Sequence, residues 1–225
     1  MGETTRLFLI RHGATTLSAE DRFAGALDVD LSDEGRRQAA LLGERLAAEK
    51  IAAVYCSPLR RARDTAAAVA SPHGLTAQPQ DALREIHHGR WEGLTRREVE
   101  ERFAAEYADW ESDPFTLAPE GGESGAAVMA RALPAVRAIV RAHAGSSAAI
   151  VSHKATIRLV LCGLLGIDAR GYRDRLDQSP ASLNILDLKD PLRARLILFN
   201  DVSHYALRAP VPAPRLSRWW DPGAA

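Results

Sequence analysis

Three stretches of this 225-residue chain place cationic or nucleophilic side chains directly after an apolar run. Arg11-His12-Gly13 follows Arg6 to Ile10, Ser57 to Arg60 follows Ile51 to Tyr55, and Ser152-His153 follows Ala148 to Val151. Each apolar run reads as a short buried strand that ends where the polar residues begin. Brought to one place, Arg11, His12, Arg60 and His153 suit a phosphate group: guanidinium forks match its oxygens, and a neutral imidazole can attack phosphorus. Taken singly the same residues have plainer roles, since strand-end arginines are commonly surface charges and a histidine beside a core commonly just hydrogen-bonds. The combination is what carries the chemistry.

The elements between these stretches are helical. Ser32, followed by Asp33 and Glu34, caps a helix running to about Lys50. Ser57-Pro58 gives a cap and a first-position proline for a helix to about Ala70. Thr95-Arg96-Arg97-Glu98 is a capping box, with Val99, Phe103, Tyr107 and Trp110 following at helical spacing as one packing stripe. Pro119 to Gly125 is a turn before a helical pattern to His143, in which Pro134 marks a kink or a later start. The run after His153 reads as a helix to Leu165 stopped by Gly166, and Leu183 to Leu188 with Leu196 to Asn200 as a hairpin. Alternating strands and helices imply a three-layer α/β/α sandwich with a mostly parallel central sheet. Its ligand site would lie beyond the carboxyl ends of the strands, where the three stretches fall.

Composition removes several other classes. Lys and Arg total 29 and Asp and Glu total 29, with no basic block, which argues against a nucleic-acid partner. Leu159 to Ile167, the most apolar stretch, is too short to span a bilayer, and Met1 to Arg6 is not a signal peptide. The expectation is a cytoplasmic protein with no membrane partner. Cys56 and Cys162, the only cysteines, each lie in an apolar run and read as buried thiols.

Further motifs occur in a fixed order: Leu9 to Thr15, Arg22-Phe23-Ala24-Gly25, Leu31-Ser32, Ser57 to Ala62, Leu83-Arg84-Glu85, Gly89-Arg90-Trp91-Glu92-Gly93, Gly121-Gly122-Glu123-Ser124 and Ser152-His153. In this the chain resembles the histidine phosphatase superfamily, with its phosphoglycerate mutase-like fold, from about Arg6 to about Asn200. The resemblance implies that His12 is the nucleophile that becomes phosphorylated. It implies that Arg11, Arg60 and His153 hold the phosphoryl oxygens and that Glu85 protonates the leaving oxygen, then serves as base for water. No metal or other cofactor is implied, because the cationic side chains do what magnesium would do. Thr15, Ser18, Arg22, Gly25, Glu123, Ser124 and Lys154 are the other expected substrate contacts, although Ser124 and Glu123 also suit the capping of the next helix. His12 needs a donor role at its second nitrogen, for which a backbone carbonyl near Gly13 is the expected partner.

Departures from the family pattern concern the substrate. Ser18 stands where the family often has asparagine, and Lys154-Ala155 stands where two glycines usually follow the second histidine. Lys154 either reaches the phosphate or a second anionic group, or is a solvated lysine at a turn. His87 and His88, adjacent and without a third ligand nearby, read as one pocket residue and one packing or solvent-facing residue rather than a metal site.

The segment 83–93 looks like the phosphatase branch, whereas mutases of the family have a tyrosine-glycine step and a longer insertion. The reading is therefore a phosphatase for a small phosphomonoester, with a phosphoglycerate-type mutase as the alternative and an inactive phospho-ligand binding module as the third. The expected organisation is one domain over residues 1–208, with a helical lid insertion at about 86–124, and a tail at 209–225. Trp219-Trp220 in that tail would dock on the domain or on a second subunit, as in a homodimer.

Overall fold

The computed structural model describes residues 3–17 and 22–206; Ser18 and the Trp219-Trp220 surface lie outside them. Six strands form one sheet in the order β3-β2-β4-β1-β5-β6. They are β1 (Thr5–Arg11), β2 (Ala53–Cys56), β3 (Gln78–Pro79), β4 (Ser147–Ser152), β5 (Leu183–Asp190) and β6 (Arg193–Asp201). The first four run parallel, and β5 and β6 continue the sheet as an antiparallel hairpin beside β1.

Strand periodicity decides which side chains face which layer. Phe8 and Ile10 of β1 join Val54, Cys56, Ala149 and Val151 against helices α1 (Asp33–Leu46) and α2 (Arg60–Ala70). Leu7 and Leu9 join Ala148 and Ile150 against α5 (Gly125–Ala142) and α6 (Lys154–Leu165). Both faces of the central strands are thus covered, which is why these strands are apolar throughout.

A third cluster sits beyond the strand ends. Trp91, Val99, Tyr107 and Trp110 pack together with Phe23, Leu94 and Phe103, and the Trp91 and Trp110 rings meet edge to face with centroids 5.4 Å apart. The expected packing stripe is therefore real, but its helix is broken. It divides into α3 (Arg96–Arg102) and α4 (Ala104–Ser112) at Phe103, whose φ of −133° and ψ of 41° end one helix and start the next. The Thr95 capping box and the Ser32 cap are both present.

Other boundaries differ from the sequence reading. Helix α2 begins at Arg60, with Leu59 as an extended cap residue, so Pro58 lies outside it, and Ser57 Oγ accepts from the Leu59 amide at 3.3 Å. Helix α5 starts at Gly125, capped by Ser124, and continues past Pro134. Strand β3 and the four-residue helix α7 (Tyr172–Arg175) carry too little periodicity to be read in advance. Cys56 and Cys162 are buried free thiols.

Candidate active site

Sheet register brings the two histidines together. Arg11, the last residue of β1, is level with Ser152, the last of β4, so His12 and His153 emerge side by side. The His12 amide donates to Ser152 O at 3.0 Å, and the two imidazole centroids are 5.0 Å apart. His12 Nδ1 lies 2.7 Å from Gly13 O. A carbonyl only accepts, so Nδ1 carries the proton and Nε2 keeps its lone pair. Burial first, then the Arg61 and Arg11 charges, holds His12 well below the ordinary histidine range, and it is neutral at neutral pH. His153 is likewise pushed well below that range by burial and Arg61, and neither of its ring nitrogens has a hydrogen-bond partner among the described residues.

The loop carrying His12 is clamped by α1. A Cβ on Gly13 would collide with Gly35 O, and one on Gly35 with Ala14 O, so the two backbones meet where only glycine fits. Ser32 N and Ser32 Oγ both donate to Ala14 O, and Gly13 N donates to Thr65 Oγ1 of α2 at 3.1 Å.

Through that threonine the loop is coupled to the second arginine, which is Arg61 and not Arg60. Arg61 is buried, and its Nη1 and Nη2 donate to Leu27 O at 2.6 Å and Gly25 O at 2.8 Å. Arg60, expected at the phosphate, is instead half exposed and paired with Asp30 at 2.8 Å on the surface. The helix explains the exchange: Arg61 shares the inward face with Thr65 and Val69, one and two turns on, whereas Arg60 sits about 100° around the axis. Arg11 donates to Gln178 O at 2.6 Å, has a buried Nε with no partner, and is lowered to about 10 by burial.

Glu85 is held at the start of α6. Its carboxylate accepts from the Ala155 amide at 3.2 Å, the Thr156 amide at 3.1 Å and the Thr156 hydroxyl at 3.1 Å, which suits an anion at a helix N-terminus. The backbone around it is fixed by Arg131 of α5, which donates to the carbonyls of Ala82, Arg84 and Glu85.

Arg11, His12, Arg61 and Glu85 open onto a cavity of about 260 Å³, whereas His153 is fully buried beside His12 and does not line it. Arg11, His12, Thr15, Arg22, Gly25, Arg61, Glu85 and Lys154 line it, joined by residues the sequence did not single out for the site: Arg96, Trp110, Arg158, Tyr172 and Arg173. His88 is the pocket residue of its pair, half-buried against Phe23 and lowered to about 4 by desolvation, while His87 is partly exposed. Glu123 and Ser124 do not line the cavity. Glu123 is taken up by Arg131 at 2.8 Å and the His87 amide at 3.1 Å, and Ser124 Oγ caps α5. Lys154 Nζ lies 3.4 Å from Asp177, and burial with the Arg158 and Arg11 charges lowers it to about 7.

Fold and site together define an α/β protein with a neutral imidazole and two guanidinium groups, those of Arg11 and Arg61, on one cavity at the strand ends. The model of the histidine phosphatase superfamily (branch 1) matches residues 7–201, and this chain belongs to that family. Phosphoserine phosphatase 1 of Hydrogenobacter thermophilus is 34% identical over 163 residues, 72% of this chain and 77% of its own length. Glucosyl-3-phosphoglycerate phosphatase of Mycolicibacterium vanbaalenii is 38% identical over 169 residues, 72% of this chain and 75% of its own length. Among solved structures, Bacillus stearothermophilus YhfR superposes with a TM-score of 0.83 at 32% identity, covering 89% of this chain and 98% of that one.

Proposed function

We propose that this protein hydrolyses a small phosphomonoester without a metal, through a phosphohistidine on His12. The observation that carries this reading is the Nδ1–H of His12 committed to Gly13 O, which leaves Nε2 nucleophilic beside Arg11 and Arg61. In the first step Nε2 bonds to phosphorus, the ester P–O bond breaks, and Glu85 gives its proton to the leaving oxygen. Glu85 enters this step as the protonated carboxyl and is left as the carboxylate that the Ala155 and Thr156 amides hold. In the second step water attacks phosphorus, Glu85 takes the water proton, and the P–N bond breaks to return neutral His12. Arg11, Arg61 and His153 hold the non-bridging oxygens through both steps, supplying charge where it develops.

The relatives named for phosphoserine and glucosyl-3-phosphoglycerate support a small phosphorylated metabolite as substrate. The segment 86–124 serves as the lid, supported by the place of His88, Arg96 and Trp110 in the cavity wall. We assign the enzyme to the cytoplasm; no helix among the described residues is long and apolar enough to cross a membrane. The test is phosphate release from a panel of phosphomonoesters, with EDTA present, by wild type and His12→Ala. Turnover that survives EDTA and vanishes in the variant supports the reading. Exchange of phosphate between acids without release would mark a mutase, and binding without turnover an inactive module.

A further inference from the structure

The phosphoryl group accounts for Arg11, His12, Arg61, His153 and Glu85, but not for the cations gathered next to them. Lys154 and Arg158 lie one turn apart on α6, and Arg173 lies on α7, which packs against α6. All three line the same cavity as His12. Lys154 and Arg158 share one carboxylate oxygen, Asp177 Oδ1, at 3.4 and 3.2 Å. Arg173 sits over the Trp110 ring at 4.7 Å and lies 3.6 Å from Glu111 and 3.9 Å from Asp174, beyond hydrogen-bond distance of either.

The guanidinium of Arg158 is nine-tenths buried or more, with its side chain 5% exposed, yet its Nε has no hydrogen-bond partner. Arg173, its side chain 11% exposed, likewise leaves Nε and Nη1 without hydrogen-bond partners. Buried guanidinium donors left without acceptors are costly unless something else accepts from them. Lys154 and Arg158 also share a single carboxylate, Asp177, so among the described residues neither has an acceptor of its own in the wall of the cavity. Both features are what a second anion on the substrate would satisfy.

We propose that Lys154, Arg158 and Arg173 form a second anion site beside the phosphoryl site, and that the substrate is a phosphorylated carboxylic acid whose carboxylate binds there. The inference rests on the phosphatase reading and names its substrate class. A carboxylate fits because these cations already engage carboxylates of the protein, Asp177 and Glu111, with the planar oxygens that match guanidinium forks. The aromatic face of Trp110 and the Tyr172 ring, which lines the same wall, restrict the room around it.

The test uses substrate pairs that differ in the carboxylate alone or nearly so: phosphoserine against phosphoethanolamine, and 3-phosphoglycerate against glycerol 3-phosphate. Steady-state kcat/KM is measured for wild type, Arg173→Met, Lys154→Gly and the charge-retaining Lys154→Arg, with thermal melts to show that each variant is folded. The proposal expects the acid of each pair to be preferred by on the order of 100-fold, the worth of one to two charge-assisted hydrogen bonds. It expects Arg173→Met and Lys154→Gly each to reduce that preference about tenfold, chiefly through KM, and Lys154→Arg to restore most of it. Equal kcat/KM within each pair, or equal losses on both members, overturns the second site while leaving the phosphatase reading intact. A bisphosphate such as glycerol 2,3-bisphosphate turned over better than either acid overturns the carboxylate assignment. Hydrolysis by folded His12→Ala at the wild-type rate would instead sink the phosphatase reading beneath it.

Discussion

At one end of the cavity the functional groups are anchored to main chain, and at the other they are anchored to side-chain carboxylates. His12 is tied to Gly13 O, Arg11 to Gln178 O, Arg61 to Gly25 O and Leu27 O, and Glu85 to the amides of Ala155 and Thr156. Lys154 and Arg158 hold Asp177, and Arg173 reaches Glu111. Main-chain anchors at strand ends and a helix start cannot move without the sheet, which suits groups that must meet phosphorus in one geometry. A cation held by a carboxylate can exchange it for another carboxylate, which suits recognition. The comparison assigns rate to the first end and choice of substrate to the second.

Arginines one residue apart give the sharpest way to break this division. Arg61→Ala removes a buried phosphoryl donor and is expected to lower kcat/KM on the order of 10²- to 10³-fold. Arg60→Ala removes an exposed pair with Asp30 and should leave kcat/KM within about twofold, since such pairs contribute little. Steady-state kinetics on both variants with one substrate checks this, and the reverse order would return the phosphate to Arg60.

Arg131→Met sharpens the claim that fixed backbone sets rate. It removes the clamp on the Ala82, Arg84 and Glu85 carbonyls and leaves Glu123 without its guanidinium partner. We expect kcat to fall about tenfold with KM little changed, and stability to drop by about 2 kcal/mol in urea titrations. A loss confined to KM would place Arg131 with substrate recognition instead.

How much of this was legible in the sequence follows the same line. Strand ends were readable because an apolar run stops abruptly at Arg11-His12 and at Ser152-His153, and β4 pairing beside β1 makes those ends neighbours. The His12–Gly13 hydrogen bond could be anticipated because it is local and the chemistry requires it. Arg61 was lost to Arg60 although the signal was present: Ala62, Ala66 and Val69 mark the buried face, and Arg61 shares that face with Thr65. Arg158 and Arg173 were not legible, because Arg158 lies inside an apolar helical run and α7 is too short for periodicity. Their meeting with Lys154 depends on how α7 packs on α6, which is tertiary. Glu123 was misplaced for a similar reason, since only the fold brings Arg131 to it.

Acid should expose the burial of the phosphoryl end. His12, His153 and His88 have folded-state affinities for protons below the unfolded value, so below about pH 6.5 the unfolded chain binds more protons than the folded one. Their stabilising contribution is complete above that pH and is lost as pH falls from there toward their folded values. The slope is expected at about 1.4 kcal/mol per pH unit per histidine, and urea titrations from about pH 7.5 to about pH 5, a range that brackets the ordinary histidine pKa of roughly 6.5, would read it. A flat profile would mean these rings take up protons in the folded protein.

The smallest effect belongs to the second end. Lys154, at about 7, is pushed down by burial, Arg158 and Arg11 and supported by Asp177. As pH rises through that value it loses its charge, so the preference for phosphoserine over phosphoethanolamine should decline, by roughly a few-fold, less than in Lys154→Gly because the neutral amine still donates a hydrogen bond. Taking the ratio cancels the ionisation of the phosphate itself. A preference that rises with pH would contradict the role given to Lys154.

The most direct measurement of the central claim is rapid acid-free quenching of wild-type enzyme during turnover of a saturating phosphomonoester in EDTA, followed by peptide mapping under alkaline conditions. The account predicts phosphate on the peptide containing His12, stable in alkali, lost in acid, and absent from folded Arg61→Ala at early times. Phosphate on any other residue, or turnover that stops when EDTA is added, would contradict it.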